Sequence, residues 1–474
     1  MSYNLLEEEW IPVLYTDGKF THVGIKGAFR EANRIRQIAA SNPMDCVAIF
    51  RFMLALLYWC QGNPPVATDI ASERLFPLDR FTKLDANREC FNLLGGGTRF
   101  YQYRQAGDKE LTVNYLLHEI PTGTNFWHFR HSTDNKDGLC RACCALGLVR
   151  LPVFSTQGGR GNPPGINAKP PMYVVPIGNT LADALLLSWW PVSGLGSPAW
   201  EKPDLPLPKA GQVPLLTGLT WLPRRVWLGE PQETVARCIS CGRQDHLILS
   251  SVFAGKGSTK TGDNTPQRIW HDPHVIYVQS RMGEISLHAN DSVSKVDVSA
   301  GQWAGTMAEL LRNPQNGQVK AWVVGFSTDQ AKCREVSESF FPWAGSPEQV
   351  ELCIEMLNQW QQLNLNISNE LKGLDGRIFS AKRPEIKAMM ATVRPHIESR
   401  VSQQAAHFLT GGDSAWQQAK EEYSQMMKVV AGALSPGVTT EAVGRRRKMA
   451  RLLPEMVRQT AKPGEPVRVK RGSK

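Results

Sequence analysis

The chain has 474 residues, 42% of them hydrophobic and 21% charged. That is the composition of a soluble globular protein, too long for one ordinary core, so two or more domains are expected. The formal net charge is +10, but it is concentrated at the C-terminus: from Val443 to Lys474, eleven Lys and Arg face two Glu. The rest is near balance, so overall basicity cannot by itself locate a nucleic-acid groove in the body.

The opening MSYNLLEEEW is acidic and polar, which argues against a secretory signal and for a cytoplasmic protein. In EWIPVLYTDGKFTHVG, Asp17-Gly18 separates two β-prone runs and predicts a hairpin. The longest apolar stretch runs from Cys46 to Cys60 and is interrupted by Arg51. It falls short of the ~20 residues of a spanning helix. It reads as a buried core helix that starts near Ser41-Asn42-Pro43; no membrane association is expected. Residues 62–135 alternate short apolar runs with turns. Strands are predicted at 172–177, 275–279 and 321–326, and residues 201–215 form a proline-rich surface excursion. The βαβ rhythm of a doubly wound sheet is missing.

After Phe340-Phe341-Pro342-Trp343 the pattern turns helical. Ser346 suits an N-cap, with Pro347 at N1 and Gln349 at N3. Helical periodicity covers roughly 347–371, 384–409, 414–434 and 438–460, with a kink expected at Pro395. Short connections make this an antiparallel four-helix bundle. The expected class is α+β. Residues 1–344 form an irregular mixed α/β domain with a zinc-knuckle site. Residues 345–474 form the C-terminal bundle and basic tail, where Arg445, Arg446, Arg447 and Lys448 could attract phosphate or simply form a solvated helix face.

Four of the ten cysteines form two Cys-x-x-Cys pairs, Cys140/Cys143 and Cys238/Cys241. Two such knuckles can wrap one tetrahedral Zn²⁺ with sulfurs at about 2.3 Å. Gly242 suits the turn after the second pair, and Cys144 or His246 could replace a ligand. A closed four-cysteine site leaves no open coordination position, so the metal would be structural. The stretch FAGKGSTKTGDN, residues 253–264, fails the phosphate-loop pattern because Lys256 precedes Gly257. It reads as a loop that presents Lys256 and Lys260. His271, Asp272 and His274 in WHDPH lack a partner at a recognised catalytic spacing and read as structural. The glycine-rich STQGGRGNPPG, residues 155–165, lacks the strand and helix of a dinucleotide site. Its glycines could let backbone approach a minor groove about 6 Å wide. No catalytic constellation emerges, and the chain reads as a non-enzyme.

Taken together, NLLEEEWIPV, TGTNFWHFRH, LCRACC, the glycine loop, CISCG and WHDPH, in that order and followed by a helical C-terminus, resemble the large subunit (CasA) of type I-E CRISPR Cascade complexes. The resemblance implies a non-catalytic subunit of a crRNA-guided surveillance complex. Such a subunit reads the protospacer-adjacent motif in double-stranded DNA, promotes strand opening and R-loop formation, and recruits a helicase-nuclease. Its partners would be target DNA, crRNA and the other Cascade subunits: the backbone, the small subunit and the crRNA 5′-end subunit. By the resemblance, the DNA contacts are Gly158, Gly159, Arg160 and Gly161, with Lys256 or Lys260, and with Asp329 and Gln330 in GFSTDQAK. Phe129, Arg130 and His131 would dock near the crRNA 5′ end. The competing readings are a zinc-dependent nucleic-acid hydrolase and an assembly scaffold without DNA contact.

Overall fold

A computed structural model of the chain describes residues 3–64, 76, 78–117, 138–155, 165–167, 172–189, 191–208, 210–257, 267–270, 272–276, 320–329 and 332–342, with scattered positions between 421 and 451. The chain divides into two compact units. The first is Met1–Ser286 with Trp322–Glu338, and the second is Leu287–Ala321 with Ser339–Lys474.

The first unit opens with strands β1 (Ile11–Tyr15) and β2 (Phe20–Val23), paired antiparallel around Asp17-Gly18, with Gly18 at φ +87°. After a short helix α1 (Ile25–Arg30), β3 (Ile35–Ile38) completes the sheet on the other edge of β1. Helix α2 (Pro43–Gln61) begins where Pro43 and the cap residue Asn42 dictate: the Asn42 side chain accepts from the Met44 amide at 2.9 Å. Its interior is buried on every side, as expected of a helix that is apolar all round. It is long and apolar enough to cross a membrane by composition, yet here it is the centre of the core. Phe52 and Trp59 reach from it into a cluster with Phe91, Phe100, Tyr101 and Trp200.

The chain continues through α3 (Thr82–Ala86), β4 (Lys109–Thr112), β5 (Leu139–Cys140) and α4 (Arg141–Phe154). Next come β6 (Met172–Ile177), α5 (Leu181–Ser188), β7 (Ala210–Gln212) and α6 (Leu215–Thr220). Strands β8 (Arg224–Leu228), β9 (Gln232–Arg237), β10 (Gln244–Leu249), β11 (Ser251–Lys256), β12 (Gln267–Ile269) and β13 (Val275–Ile276) follow. The last strands are β14 (Lys320–Asp329) and β15 (Lys332–Pro342), of which Trp322–Glu338 belongs to this unit. Beside the first sheet, the strand orders are β5-β10-β9, β4-β11-β8, β12-β7 and β13-β6-β14-β15. The result is an irregular mixture of helices and small sheets around one apolar core.

Two expectations are corrected. The 201–215 stretch is not simply a surface excursion: β7 pairs in parallel with β12, and Leu207 and Val213 are buried with Trp221. The 253–264 stretch is not a loop throughout, since Phe253–Lys256 is strand and pairs with β4 and β8. The strand predicted at 321–326 extends to Lys320–Asp329. In the second unit, Thr439 accepts from the Val443 amide at 2.9 Å and opens a helical stretch in which Met449 is buried and Arg447 and Arg451 are exposed. The segments 347–371, 384–409 and most of 414–434, on which the bundle expectation rests, lie outside the described residues.

Candidate functional site

The two cysteine pairs meet because of one antiparallel strand contact. Strand β10 pairs with β5 through Ile248–Cys140 and Leu249–Leu139, and with β9 on its other edge. Cys140 stands at the junction of β5 and α4, and Cys143 follows in the first turn of that helix. Cys238 and Cys241 occupy the turn of the β9–β10 hairpin. There the Cys238 amide donates to Arg243 O at 2.8 Å, the Gly242 amide donates to Cys238 O at 2.9 Å, and Gly242 takes φ +72°. The Ile239 amide donates to Gly138 O at 3.2 Å and ties the hairpin turn to the strand that leads into Cys140.

All four sulfurs lie within 4.8 Å of one another, and the Cys140 and Cys241 Sγ atoms are 3.7 Å apart. A tetrahedron with metal–sulfur bonds of about 2.3 Å has an edge of about 3.8 Å. The donor set therefore fits a divalent ion with a preference for thiolates. Three of the four cysteines are buried and Cys241 is exposed. Hydrogen bonding within the cluster, from Cys140 first, holds Cys238 well below the ordinary thiol range and Cys241 down to about 7. The same contacts hold Cys143 above that range, again with Cys140 first. Cys144 is not a ligand: it is fully buried in the apolar core, which pushes its thiol up. His246 is exposed and stands outside the cluster.

Helix α4 runs from the first knuckle to the base of the glycine-rich loop. Its fourteen residues span about 21 Å, so the base of the loop at Ser155 stands one helix length away from the knuckle. The loop is closed by its own base. The Gly165 amide donates to Ser155 O at 2.8 Å, and the Ser155 amide and hydroxyl both donate to Leu151 O. A side chain at Gly165 would crowd Pro152 O at 3.1 Å. Gly158, Gly159, Arg160 and Gly161 themselves lie outside the described residues.

Lys256 ends β11 and is exposed. Its neighbour Gly257 is there for packing: a Cβ would press on Leu222 O and sit 2.6 Å from Arg224 N. Asp329 ends β14, and Gln330 falls between β14 and β15, outside the described residues. Lys260, Phe129, Arg130, His131, Arg445, Arg446 and Lys448 also lie outside them. Among the described site residues, only the four cysteines are brought together.

Trp270, Asp272 and His274 of WHDPH belong to a buried polar network that sequence reasoning missed, while His271 lies outside the described residues. Arg51, on the core helix α2, donates twice to the Asp272 carboxylate, Nη1 to Oδ1 and Nη2 to Oδ2, both at 2.7 Å. Both side chains are almost completely shielded from solvent, at 3% and 0% exposure. The His274 amide donates to Asp272 at 2.9 Å, and its ring lies 3.1 Å from the Ser188 hydroxyl. Asn167 donates to Asp272 at 3.0 Å and accepts from the Trp270 indole at 2.9 Å. Burial is the largest single influence on Asp272 and opposes its ionisation, but the Arg51 charge and hydrogen bonds, together with His274, outweigh it and hold the carboxyl below its usual range. Burial pushes His274 down to about 3. The one signal available in sequence was Arg51 itself, because an arginine inside an apolar helix needs a buried acid.

Residues 4–460 match the profile of the family described as CRISPR-associated protein Cse1. The chain belongs to the Cse1 family. A curated relative, the CRISPR-associated protein CasA/Cse1 of Thermus thermophilus, is 29% identical over 371 residues, covering 72% of this chain and 70% of the relative. The crystal structure of Thermus thermophilus CasA superposes with a TM-score of 0.72 at 17% identity, over 97% of this chain and 100% of that one. A chain of a structure described as a CRISPR RNA-guided surveillance complex superposes with a TM-score of 0.66 at 15% identity, over 95% of this chain and 99% of that one. For this Cse1 chain, the α+β architecture read from sequence agrees with the fold of these relatives.

Proposed function

We propose that this Cse1 chain is the non-catalytic large subunit of a crRNA-guided type I-E CRISPR surveillance complex. In this reading it recognises the protospacer-adjacent motif in double-stranded DNA, helps open the strands and recruits the helicase-nuclease. The observation that carries the reading is the family match across residues 4–460. A guided complex leaves sequence reading to base pairing and asks its protein only for a short flanking motif.

In this role the 156–164 loop, with Gly158, Gly159, Arg160 and Gly161, approaches the minor groove. Lys256 or Lys260 adds a phosphate or groove contact, and the β14–β15 turn brings Asp329 and Gln330 to the duplex. The closed base of the loop and the exposed strand end at Lys256 support this reading. Phe129, Arg130 and His131 dock near the crRNA 5′ end, and the basic C-terminal segment follows the flanking or displaced DNA. The bundle over 345–474 serves as a contact surface for neighbouring subunits.

Zinc is the metal proposed for Cys140, Cys143, Cys238 and Cys241. Its part is to hold the β9–β10 turn against the start of α4; it has no open position for a reacting water. A hydrolase is disfavoured because Asp272 and His274 are enclosed by Arg51, Asn167 and Ser188.

The deciding experiment is a gel shift of the assembled complex, with and without this subunit, across target duplexes carrying every flanking trinucleotide. The expected result is tight binding to a subset of flanks only when the subunit is present. Equal binding to all flanks in both preparations would leave an assembly scaffold.

A further inference from the structure

The network around Arg51 reaches further than a buried ion pair needs to. From Asp272 it passes to Asn167, just beyond the Gly165 that closes the glycine-rich loop. The Asn167 amide also lies 3.4 Å from the Tyr173 hydroxyl, and that hydroxyl donates to Val153 O at 2.7 Å. Val153 is in the last turn of α4, where carbonyls have no partner within the helix and must find one elsewhere. The Arg51 guanidinium stacks over the Tyr173 ring at 4.7 Å. Both stems of the 156–164 loop are thus tied to α2 through fully enclosed groups: Val153 on the entering side and Asn167 on the leaving side.

The same residues hold a second element. Tyr173 lies on β6 and faces Val275 on β13, which follows directly from Asp272 and His274. The Val174 amide donates to His274 O at 2.7 Å. The other edge of β6 carries β14, and β14 ends at Asp329. A strand fixed at β6 therefore fixes the root of the β14–β15 turn.

We infer that the Arg51–Asp272 pair, acting through Asn167 and Tyr173, is a positioning device that fixes the base of the 156–164 loop and the root of the β14–β15 turn to one point on the core helix. Arg51, Asp272, Asn167 and Tyr173 touch no DNA in this scheme; they set where the contacting segments begin. A solely apolar core would bury these segments as well, but without the directional hydrogen bonds that tie them to Arg51 and Asp272. Buried charged networks of this kind serve registry in the best-attested cases. Describing both segments as DNA-reading rests on the function proposed above; the anchoring itself does not.

The test separates the two. Tyr173→Phe keeps the ring over Arg51 and removes only the hydroxyl that bridges Asn167 and Val153. Arg51→Met/Asp272→Leu replaces both charges with apolar groups of similar size, so no lone charge is left buried. Each purified full-length variant is digested with trypsin under native conditions, and cleavage after Arg160 is measured relative to cleavage after Lys19, which sits in the distant β1–β2 turn. A released loop base should speed the Arg160 cut about tenfold while the Lys19 cut stays unchanged. Reconstituted into the complex, both variants should assemble normally yet lose most of the wild-type preference among flanking trinucleotides. Rates at Arg160 equal to wild type in both folded variants would overturn the anchoring, whatever the DNA result. If wild type itself confers no flanking preference, the DNA-reading function fails and the Arg160 ratio still decides the anchoring.

Discussion

The sulfurs of Cys140 and Cys241 lie 3.7 Å apart although 101 positions separate them in the chain. A metal at this point ties the start of α4 to the β9–β10 turn and restricts the unfolded chain over that whole interval, where loop-closure entropy is large. The purified protein should carry about one zinc per chain. Cys140→Ser or Cys238→Ser should release it and lower the thermal midpoint by about 5–10 °C. Elemental analysis alongside thermal unfolding checks this; a serine variant with unchanged midpoint and no bound metal would remove the staple role.

His274 predicts a pH dependence of stability. Burial first, and Arg51 second, lower its folded pKa to about 3, whereas Asp272 pulls the other way. An unfolded histidine titrates near 6.5, so between about 6.5 and 3 the unfolded chain holds a proton that the folded chain refuses. Stability from this group is therefore complete above about pH 6.5 and falls by up to about 1.4 kcal/mol per pH unit below it. Asp272, with its folded pKa lowered, loses its contribution only further down, below about pH 4. Denaturant titrations from pH 7 to pH 5 should show this slope, and His274→Gln should flatten it by one proton. An identical slope in that variant would assign the dependence elsewhere.

Gly257→Ala should destabilise the first unit by roughly 1–3 kcal/mol. The new methyl would press on Leu222 O, Pro223 C and Arg224 N, all of them backbone atoms that cannot rotate away. Gly444→Ala, in a helical stretch with open space around the added Cβ, should leave stability the same or slightly higher. A pair of thermal melts distinguishes the two. Equal midpoints would show that β11 and the 222–224 backbone can separate at little cost.

Lys256→Ala tests the DNA reading at its one described lysine. Lys256 is exposed at a strand end, and its replacement should leave folding intact. Binding of the assembled complex to target duplex should weaken, and the slope of log affinity against log salt should become shallower by about one if a phosphate contact is lost. If only Lys260→Ala has these effects, the contact belongs to Lys260.

What could be read from the sequence was local. Asn42-Pro43 marks the start of α2, Asp17-Gly18 marks the hairpin, and the Cys-x-x-Cys spacings pick out the four cysteines that the fold brings together, because each signal lies within a few residues of its effect. The strand at 172–177 was visible for the same reason. What was missed depends on pairing at long range. Ala210–Gln212 looks like loop until Gln267–Ile269 lies beside it. Arg51 registers only as an interruption of an apolar run until Asp272, 221 positions away, meets it.

The bond from the Gly165 amide to Ser155 O has a consequence for how such a protein can change. The chain passes through Ser155 and Gly165 at one place in the core, so the entry and exit of the segment between them are fixed whatever its length. Lengthening a loop costs little once its ends are fixed, about 0.6 kcal/mol per doubling. Versions of residues 156–164 of other length or charge should therefore leave the thermal midpoint near that of the parent chain. A scaffold arranged in this way lets one short segment vary while its architecture stays still, and under the function proposed above, swapping this segment between related chains should change the preferred flanking motif.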